Sequence, residues 1–329
     1  MALGLAARGA FLCVGKDPAA PERCEDRAVL ALPDAAAVID GATDIGGQRF
    51  GGRTGGWLAA DALSRFVLAA AADGSIRQWT GADFVARANG VLLDLYAQLG
   101  ILETARQSPE RRFRAGATVA IAQETGVRIV NLAMPGLRID GVLHKPDDPP
   151  EGFERVLTSL RVQLWNDPEL ASLEPLAREK AAHDLLVAGR PDTHAPNAAA
   201  WARAEARLRA TLPPQVDLAR IEAALARGLW GSRCAHPGDP SYSPAIDGFH
   251  DEVHPDWETL LPYGQYRTIE LFSDGYQTLP AASDVSAWEA EANNANRDDP
   301  HRIGAFAAIK GRVPGGHHDD RSLVVLQAD

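Results

Sequence analysis

The first part of the chain alternates short apolar runs with longer stretches in which apolar residues recur at helical spacing. Three runs, RGAFLCVG, RAVLAL and AAAVID, are separated by Pro, Gly and Asp clusters, which is typical of β-strands. Apolar side chains three and four residues apart then predict helices over residues 54–74 and 81–100. The stretch GATVAIAQETGVRIVNLAM follows, and it predicts two strands joined in a hairpin by a turn that contains glycine.

Residues 151–262 have a different pattern, with four helix-like segments followed by a polar loop rich in proline. Strand character returns in YRTIELFSDG, a short helix follows in ASDVSAWEAEANN, and SLVVLQ is a last strand near the C-terminus. A hairpin and strands at both ends of the chain indicate antiparallel sheet covered by helices, which is an α+β fold. We expect a single domain over residues 1–329, within which residues 151–262 form a helix-rich insertion or flap.

Composition and charge narrow the classes of function. Apolar residues make up 46% of the chain and charged residues 23%, as in globular proteins. The formal charge of −11 opposes binding to nucleic acid or to anionic lipid. No stretch approaches the ~20 apolar residues that span a membrane, and the N-terminus lacks the basic start of a signal peptide. Three widely spaced cysteines form no disulfide framework, so we expect a cytoplasmic protein.

Four places in the sequence put carboxylates at the end of a predicted strand, beside glycine or turn residues. They are Asp40, Asp274, the pair Asp319 and Asp320, and the pair Glu25 and Asp26. If these strand ends meet, like charges raise each other's pKa, and a divalent cation relieves the repulsion. Oxygen ligands without clustered thiolates suit Mg²⁺ or Mn²⁺. Asp-Gly is also a common turn pair, and we interpret RIDG at 138–141 and AIDG at 245–248 as turns.

Six motifs follow one another in a fixed order along the chain. They are CEDRAVLAL, AAVIDGATD with GGRTGGWLAADAL, AGATVAIA, VRIVNLAM, IELFSDG and DDRSLVVL. This ordered set resembles the metal-dependent Ser/Thr protein phosphatases of the PPM (type 2C) family over nearly the whole chain, although residues 151–262 add little. The resemblance implies a four-layer α/β/β/α sandwich, in which two antiparallel sheets pack face to face with helices outside and a two-metal site lies at one end.

The same resemblance assigns six residues to a centre of two Mn²⁺ or Mg²⁺ ions. They are Asp40 as the carboxylate that bridges both ions, Gly41 as a carbonyl ligand of one, Asp274 and Asp319 as ligands of the other, and Glu25 and Asp26 as the groups that hold metal-bound waters. The implied reaction is hydrolysis of phosphoserine and phosphothreonine in protein substrates by a metal-activated water. Arg23 is the candidate phosphate-binding side chain, and Lys16 is the other candidate for this role near this position.

The sequence also departs from the family pattern. Met134 and Thr278 stand where many members carry aspartates that help to bind a third, weaker ion, so the resemblance implies two ions here. Cys24 replaces an asparagine, and Ala42 stands where some members have a histidine proposed as general acid. These losses leave an alternative open, which is a catalytically weak or inactive phosphatase-like module that binds phosphoprotein partners. Hydrolysis of small phosphoesters is a third possibility.

Two features of the middle segment allow further hypotheses. HDEVH at 250–254, with Cys234 and His236 upstream, allows a zinc site. Pro255 follows at once in a proline-rich region, which makes a helix there doubtful and favours an ordinary polar loop. Residues 186–201 are our candidate for a flap that influences the choice of substrate.

Overall fold

The computed structural model describes residue 5 and residues 8–108, 110–144, 152–212, 216–239, 241–249, 255–313 and 315–328. The chain divides into two compact units. Unit 1 comprises Met1–Pro146, Pro244–Asn294 and Asp319–Asp329, and unit 2 comprises Asp147–Ser243 and Ala295–His318. The single-domain organisation expected from the sequence stays a prediction.

The strands of the described residues all lie in unit 1. They are β1 (Arg8–Val14), β2 (Asp26–Ala31), β3 (Ala35–Gly41), β4 (Ala115–Ala122), β5 (Gly126–Leu132), β6 (Gly136–Ile139), β7 (Val142–His144), β8 (Trp257–Pro262), β9 (Thr268–Phe272) and β10 (Arg321–Gln327). They form two five-stranded sheets with the orders β1-β10-β9-β6-β7 and β2-β3-β4-β5-β8. Every pairing is antiparallel.

The helices in the described part of the chain have the following bounds. They are α1 (Gly55–Ala72), α2 (Gly81–Gln98), α3 (Leu102–Gln107), α4 (Phe153–Trp165), α5 (Pro168–Ala171), α6 (Pro175–Ala188), α7 (Ala198–Thr211), α8 (Leu218–Cys234) and α9 (Val285–Asp298). The two helices after β3 start at threonine caps. Thr54 accepts a hydrogen bond from the Trp57 amide, and Thr80 forms a reciprocal capping box with Asp83.

Unit 1 is layered. Side chains from the inner faces of both sheets, among them Val38 of β3 and Val324 of β10, form one buried cluster between the sheets. A second cluster packs the other face of the β2–β8 sheet against α1 and α2. On the outer face of the β1–β7 sheet, Phe272 and Leu323 pack against Trp288 of α9. The α+β class, with two antiparallel sheets flanked by helices, is therefore confirmed.

Unit 2 is helical and has a hydrophobic cluster of its own. Trp201, Leu160 and Leu225 are among the buried residues that α4, α6, α7 and α8 contribute to it. Arg161 of α4 is fully buried, where it pairs with Glu179 and donates 2.8 Å to the Arg302 carbonyl. Because a guanidinium has five N–H donors, these partners offset the cost of burying its charge.

The structure confirms most of the predicted elements. The hairpin over 116–134 is the β4–β5 pair, and the last strand pairs with β1. In RIDG at 138–141, Arg138 and Ile139 end β6, and Asp140 and Gly141, both with positive φ, form the turn to β7. The sequence pattern missed β6, β7 and β8, which are short or lie at sheet edges where few apolar side chains are buried. Among the described residues no helix is long and apolar enough to cross a membrane.

Candidate active site

The first two acidic motifs meet at one end of the β2–β8 sheet. Asp26 at the start of β2 lies directly opposite Asp40 near the end of β3, and both are buried. The Gly41 amide donates 3.1 Å to the Glu25 carbonyl, which extends the pairing by one step. Burial and the charge of Asp320 raise the pKa of the Asp26 carboxyl well above its usual value.

The acidic pair before β10 reaches the same place. The Oδ2 atom of Asp320 accepts a 3.0 Å hydrogen bond from the Glu25 amide, and the Asp320 amide donates 2.9 Å to Asp319 Oδ1. Ser322 Oγ then donates 3.0 Å to Asp26 Oδ2. Acids from the two sheets are therefore joined by direct hydrogen bonds within unit 1.

Asp274 lies near these acids because its neighbours in sequence, Ser273 and Gly275, contact the start of β10 and the residue before it. It follows β9, where the Ser273 amide donates 2.9 Å to the Ser322 carbonyl and Ser273 Oγ accepts 2.9 Å from the Ser322 amide. On its other side, a Cβ added to Gly275 would overlap the Asp320 carbonyl. Asp274 itself is half-buried, between two residues that touch the start of β10.

Gly41 and Gly56 allow the end of β3 to approach the start of α1. A Cβ at Gly41 would overlap the Gly56 carbonyl and would lie 2.6 Å from the Glu25 carbonyl. Thr54, which caps α1, also donates 2.6 Å to Glu25 Oε1. The helix cap thus fixes one carboxylate oxygen of the acidic cluster. We use the name acidic cluster for Glu25, Asp26, Asp40, Asp274, Asp319 and Asp320.

Lys16 lies among the carboxylates of the acidic cluster. Its Nζ atom is 3.0 Å from Glu25 Oε2, 3.2 Å from Asp320 Oδ2 and 3.7 Å from Asp319 Oδ1. Its backbone amide donates 2.7 Å to Asp320 Oδ1. Burial opposes the charge of this side chain, but the carboxylates of Asp319, Glu25 and Asp320 outweigh it and raise the pKa of Lys16.

The donor chemistry of the acidic cluster fits a hard divalent cation, whereas its present arrangement surrounds an ammonium. Buried carboxylates supply the oxygen ligands that Mg²⁺ and Mn²⁺ prefer, and burial, together with the charge of Asp320, raises the pKa of Asp26. Within the part of the chain that the structure describes, no three or more His, Cys, Asp or Glu residues are arranged to hold a metal ion.

Other predicted residues take the following positions. Arg23 is exposed on a 3₁₀ turn, Pro21–Arg23, and its role in phosphate binding stays a prediction. Thr278 Oγ1 donates 3.4 Å to Glu291 Oε2. The candidate flap at 186–201 begins in α6 and ends in α7, and its effect on substrate choice stays a prediction. The zinc hypothesis depends on residues 250–254, which lie outside the described residues.

Sequence reasoning missed the contacts through which three side chains hold the acids in place. They are Lys16 as a cation among them, Thr54 as a donor to Glu25, and Ser322 as a donor to Asp26. Thr54 is the first residue of the helix predicted over residues 54–74, and a threonine at that position was a usable signal of a cap. Ser322 follows the acidic pair, but its partner is 296 residues away in sequence, and no local pattern indicates that contact.

Two of the three cysteines are neighbours in space. The Sγ atoms of Cys13 and Cys24 are 3.5 Å apart, and Cys13 Sγ also donates 3.4 Å to the Asp26 carbonyl. The hydrogen bond with Cys24 lowers the pKa of Cys13. Cys24 therefore occupies its place before Glu25 as part of a thiol pair beside the acidic cluster.

Comparison with known proteins gives likeness in structure only. No protein-family model matches the chain, and no curated protein sequence matches it. Among solved structures, the serine/threonine phosphatase Stp1 from Staphylococcus aureus is similar at 11% identity, covering 100% of this chain and 98% of that chain with a TM-score of 0.47. The serine/threonine phosphatase PstP/Ppp from Mycobacterium tuberculosis is similar at 17% identity, covering 98% of each chain with a TM-score of 0.42.

A second structure of PstP, its catalytic domain in complex with two manganese ions, matches at 15% identity over 98% of each chain with a TM-score of 0.42. At these identities and TM-scores, the likeness by itself identifies neither the family nor the activity of this chain.

Proposed function

We propose that the chain is a metal-dependent phosphatase that hydrolyses phosphoserine and phosphothreonine in proteins. The observation that carries this proposal is the meeting of the acidic cluster. Asp320 accepts a hydrogen bond from the Glu25 amide, and Asp26, which follows Glu25, lies opposite Asp40 in the pairing of β2 with β3, so acids from separate stretches of sequence lie close together. The order of the sequence motifs and the layered fold of unit 1 support the same function.

In this proposal, two Mn²⁺ or Mg²⁺ ions would be held by six residues. They are Asp40, Asp274 and Asp319 through carboxylates, Gly41 through its carbonyl, and Glu25 and Asp26 through bound waters. The bound ions would supply a water of lowered pKa and neutralise the charge on the phosphoryl oxygens. The chain itself orients the ligands, since Ser322 holds Asp26 and Thr54 holds Glu25.

Turnover of p-nitrophenyl phosphate with added Mn²⁺ tests the proposal. We expect hydrolysis that depends on Mn²⁺ and that falls by about 100-fold or more in Asp40→Asn and in Asp274→Asn, because metal stabilisation of the reacting charges is worth several kcal/mol. Asp184→Asn is the matched control, since this exposed residue of α6 pairs only at the surface with Lys180. The control should keep wild-type turnover.

Absence of turnover over a range of Mn²⁺ concentrations and pH values would contradict the proposal. Hydrolysis that both variants retain would contradict the assigned residues. Phosphoserine and phosphothreonine peptides, assayed beside p-nitrophenyl phosphate, then separate action on proteins from action on small phosphoesters.

A second candidate function is favoured by the position of Lys16. An inactive module of this fold that binds phosphoproteins needs no metal, and in such a module the ammonium of Lys16 would neutralise the acids permanently. Met134 and Thr278, at positions where acids would help to bind a third ion, are consistent with the same reading. Tight binding of a phosphopeptide without release of phosphate, measured by fluorescence anisotropy and phosphate assay, would favour this candidate.

A cytoplasmic site of action is part of the first proposal. It rests on the cysteine usage of the chain, since disulfides are common in secreted proteins and rare in cytosolic ones. Cys13 and Cys24 are free thiols in the structure.

A further inference from the structure

The carboxylate oxygens nearest to Lys16 are already occupied by donors of the chain. Both Asp320 oxygens accept backbone amides, from Lys16 at 2.7 Å and Glu25 at 3.0 Å. Glu25 Oε1 accepts from Thr54 at 2.6 Å, and Glu25 Oε2 accepts from Lys16 Nζ at 3.0 Å. A divalent ion that used Glu25 or Asp319 would have to replace at least one of the contacts made by the ammonium.

From this geometry we infer that Lys16 is a tethered cation of the acidic cluster, which holds Glu25, Asp319 and Asp320 together without metal and competes with any divalent ion for them. The Lys16 side chain is only 20% exposed, and its ammonium lies within 4 Å of three carboxylates. A lysine suits this role because its charge is compact, carries three donors, and sits on a flexible stem that can swing away.

The inference differs from a role for Lys16 in binding phosphate. A side chain that receives phosphate has to direct its donors toward the substrate, whereas the Lys16 ammonium points its donors at carboxylates of its own chain. Asp320 binds both the backbone amide and the ammonium of Lys16, which holds the residue at both ends. Removal of the ammonium should therefore strengthen, and not weaken, the binding of a divalent cation.

Mn²⁺ binding, followed by electron paramagnetic resonance of the free ion, tests this inference on the full chain. We expect Lys16→Met to bind Mn²⁺ on the order of tenfold or more tightly than the wild type, because three carboxylates lose their internal cation. Lys180→Met is the matched control, since Lys180 is exposed and its partner is the exposed Asp184. The control should bind Mn²⁺ as the wild type does.

Binding by Lys16→Met that equals the wild type or is weaker overturns the inference. If Lys16→Met does not fold without metal, the same titration is made on Lys16→Met/Asp320→Asn, in which a lost positive charge is matched by a lost negative one. Tighter binding of Mn²⁺ by this double variant than by the wild type supports the inference, and equal or weaker binding overturns it.

The inference rests on the proposed function only in the choice of Mn²⁺ as the competing ion, and the two can fail separately. If the wild type hydrolyses phosphate esters but Lys16→Met binds Mn²⁺ no more tightly, the inference about Lys16 is wrong and the proposed phosphatase function stands. If Lys16→Met binds Mn²⁺ more tightly but neither it nor the wild type hydrolyses phosphate esters, the inference about Lys16 is supported and the proposed phosphatase function is contradicted.

Discussion

Gly41 shows how one residue serves both the backbone and the candidate site. The resemblance noted in the sequence predicts the Gly41 carbonyl as a metal ligand, and the absence of a Cβ leaves room for such a close approach. The structure gives a second reason, because the Gly56 carbonyl and the Glu25 carbonyl pass so close that no side chain has room. Both neighbours are backbone atoms, which cannot turn aside as a flexible side chain can.

We therefore expect Gly41→Ala to destabilise the protein by at least ~2 kcal/mol, since the added methyl group forces β3 and α1 apart. Gly90→Ala is a matched control, because Gly90 lies in α2 with open space around it. It should instead stabilise by ~0.5–1 kcal/mol, through the higher helix propensity of alanine. Urea denaturation compares the two, and equal midpoints for both variants would contradict the close approach at Gly41.

Asp167 in unit 2 is a second residue with two roles, here at the level of a helix. Its side chain is fully buried, caps α5 by accepting from the Glu169 amide at 3.1 Å, and accepts two hydrogen bonds from Arg203 of α7. Arg207 of the same helix donates a further bond at 3.2 Å. One carboxylate therefore joins a cap to a contact between helices, and its hydrogen bonds with Arg203 lower the pKa of Asp167.

Replacing this carboxylate should have an effect that depends on pH. We expect Asp167→Asn to cost ~1–2 kcal/mol near neutral pH, since Arg203 and Arg207 are partly exposed and solvent screens their charge. The lowered pKa means that the carboxylate stabilises unit 2 fully above its usual pKa of about 4. This stabilisation is lost as the pH falls through the lower value of the folded state.

The stability difference between wild type and Asp167→Asn should therefore narrow below pH ~4. Thermal unfolding of both proteins at several pH values measures this stability difference. Asp184→Asn, in an exposed pair, should change stability by less than ~0.5 kcal/mol at every pH. If the stability difference between wild type and Asp167→Asn stays constant as the pH falls below the pKa of the carboxyl group, the charge of Asp167 does not stabilise unit 2.

At the scale of the whole molecule, unit 1 is assembled from three separated stretches of sequence. β10 lies between β1 and β9, so the last strand completes the sheet that the first strand begins. It contributes Leu326 to the cluster between the sheets and Leu323 to the cluster under α9. It also carries the acidic pair before it into the site.

Truncating the inner face of β10 should therefore weaken the whole of unit 1. We expect Leu326→Ala to cost ~2–5 kcal/mol, as for other fully buried leucines. The neighbouring Gln327→Ala should stay within ~0.5 kcal/mol, because Gln327 is exposed. Urea midpoints followed by circular dichroism make the comparison, and a small loss for Leu326→Ala would mean that β10 is peripheral to the core.

The elements of this chain could largely be predicted because their signals are local. The bounds predicted for β1 and β3 agree with the structure within one residue. Helical and alternating patterns report which side of an element is buried, and burial is what forms these elements. Edge strands such as β7 and β8 bury little, so their sequences carried no comparable signal.

The sequence alone indicates that acids stand at the ends of several strands, since Asp40 directly follows an apolar run and the other acids lie within a few residues of one. Which cation lies among them depends on contacts between distant parts of the chain. Lys16 and Asp320 are 304 residues apart, and the sequence predicted divalent ions among the acids and Arg23 or Lys16 only as a phosphate-binding side chain. A local sequence pattern indicates which residue stands at the end of a strand. The register of strand pairing in the two sheets decides which charged side chains come within 4 Å of one another. That register depends on the packing of the entire core.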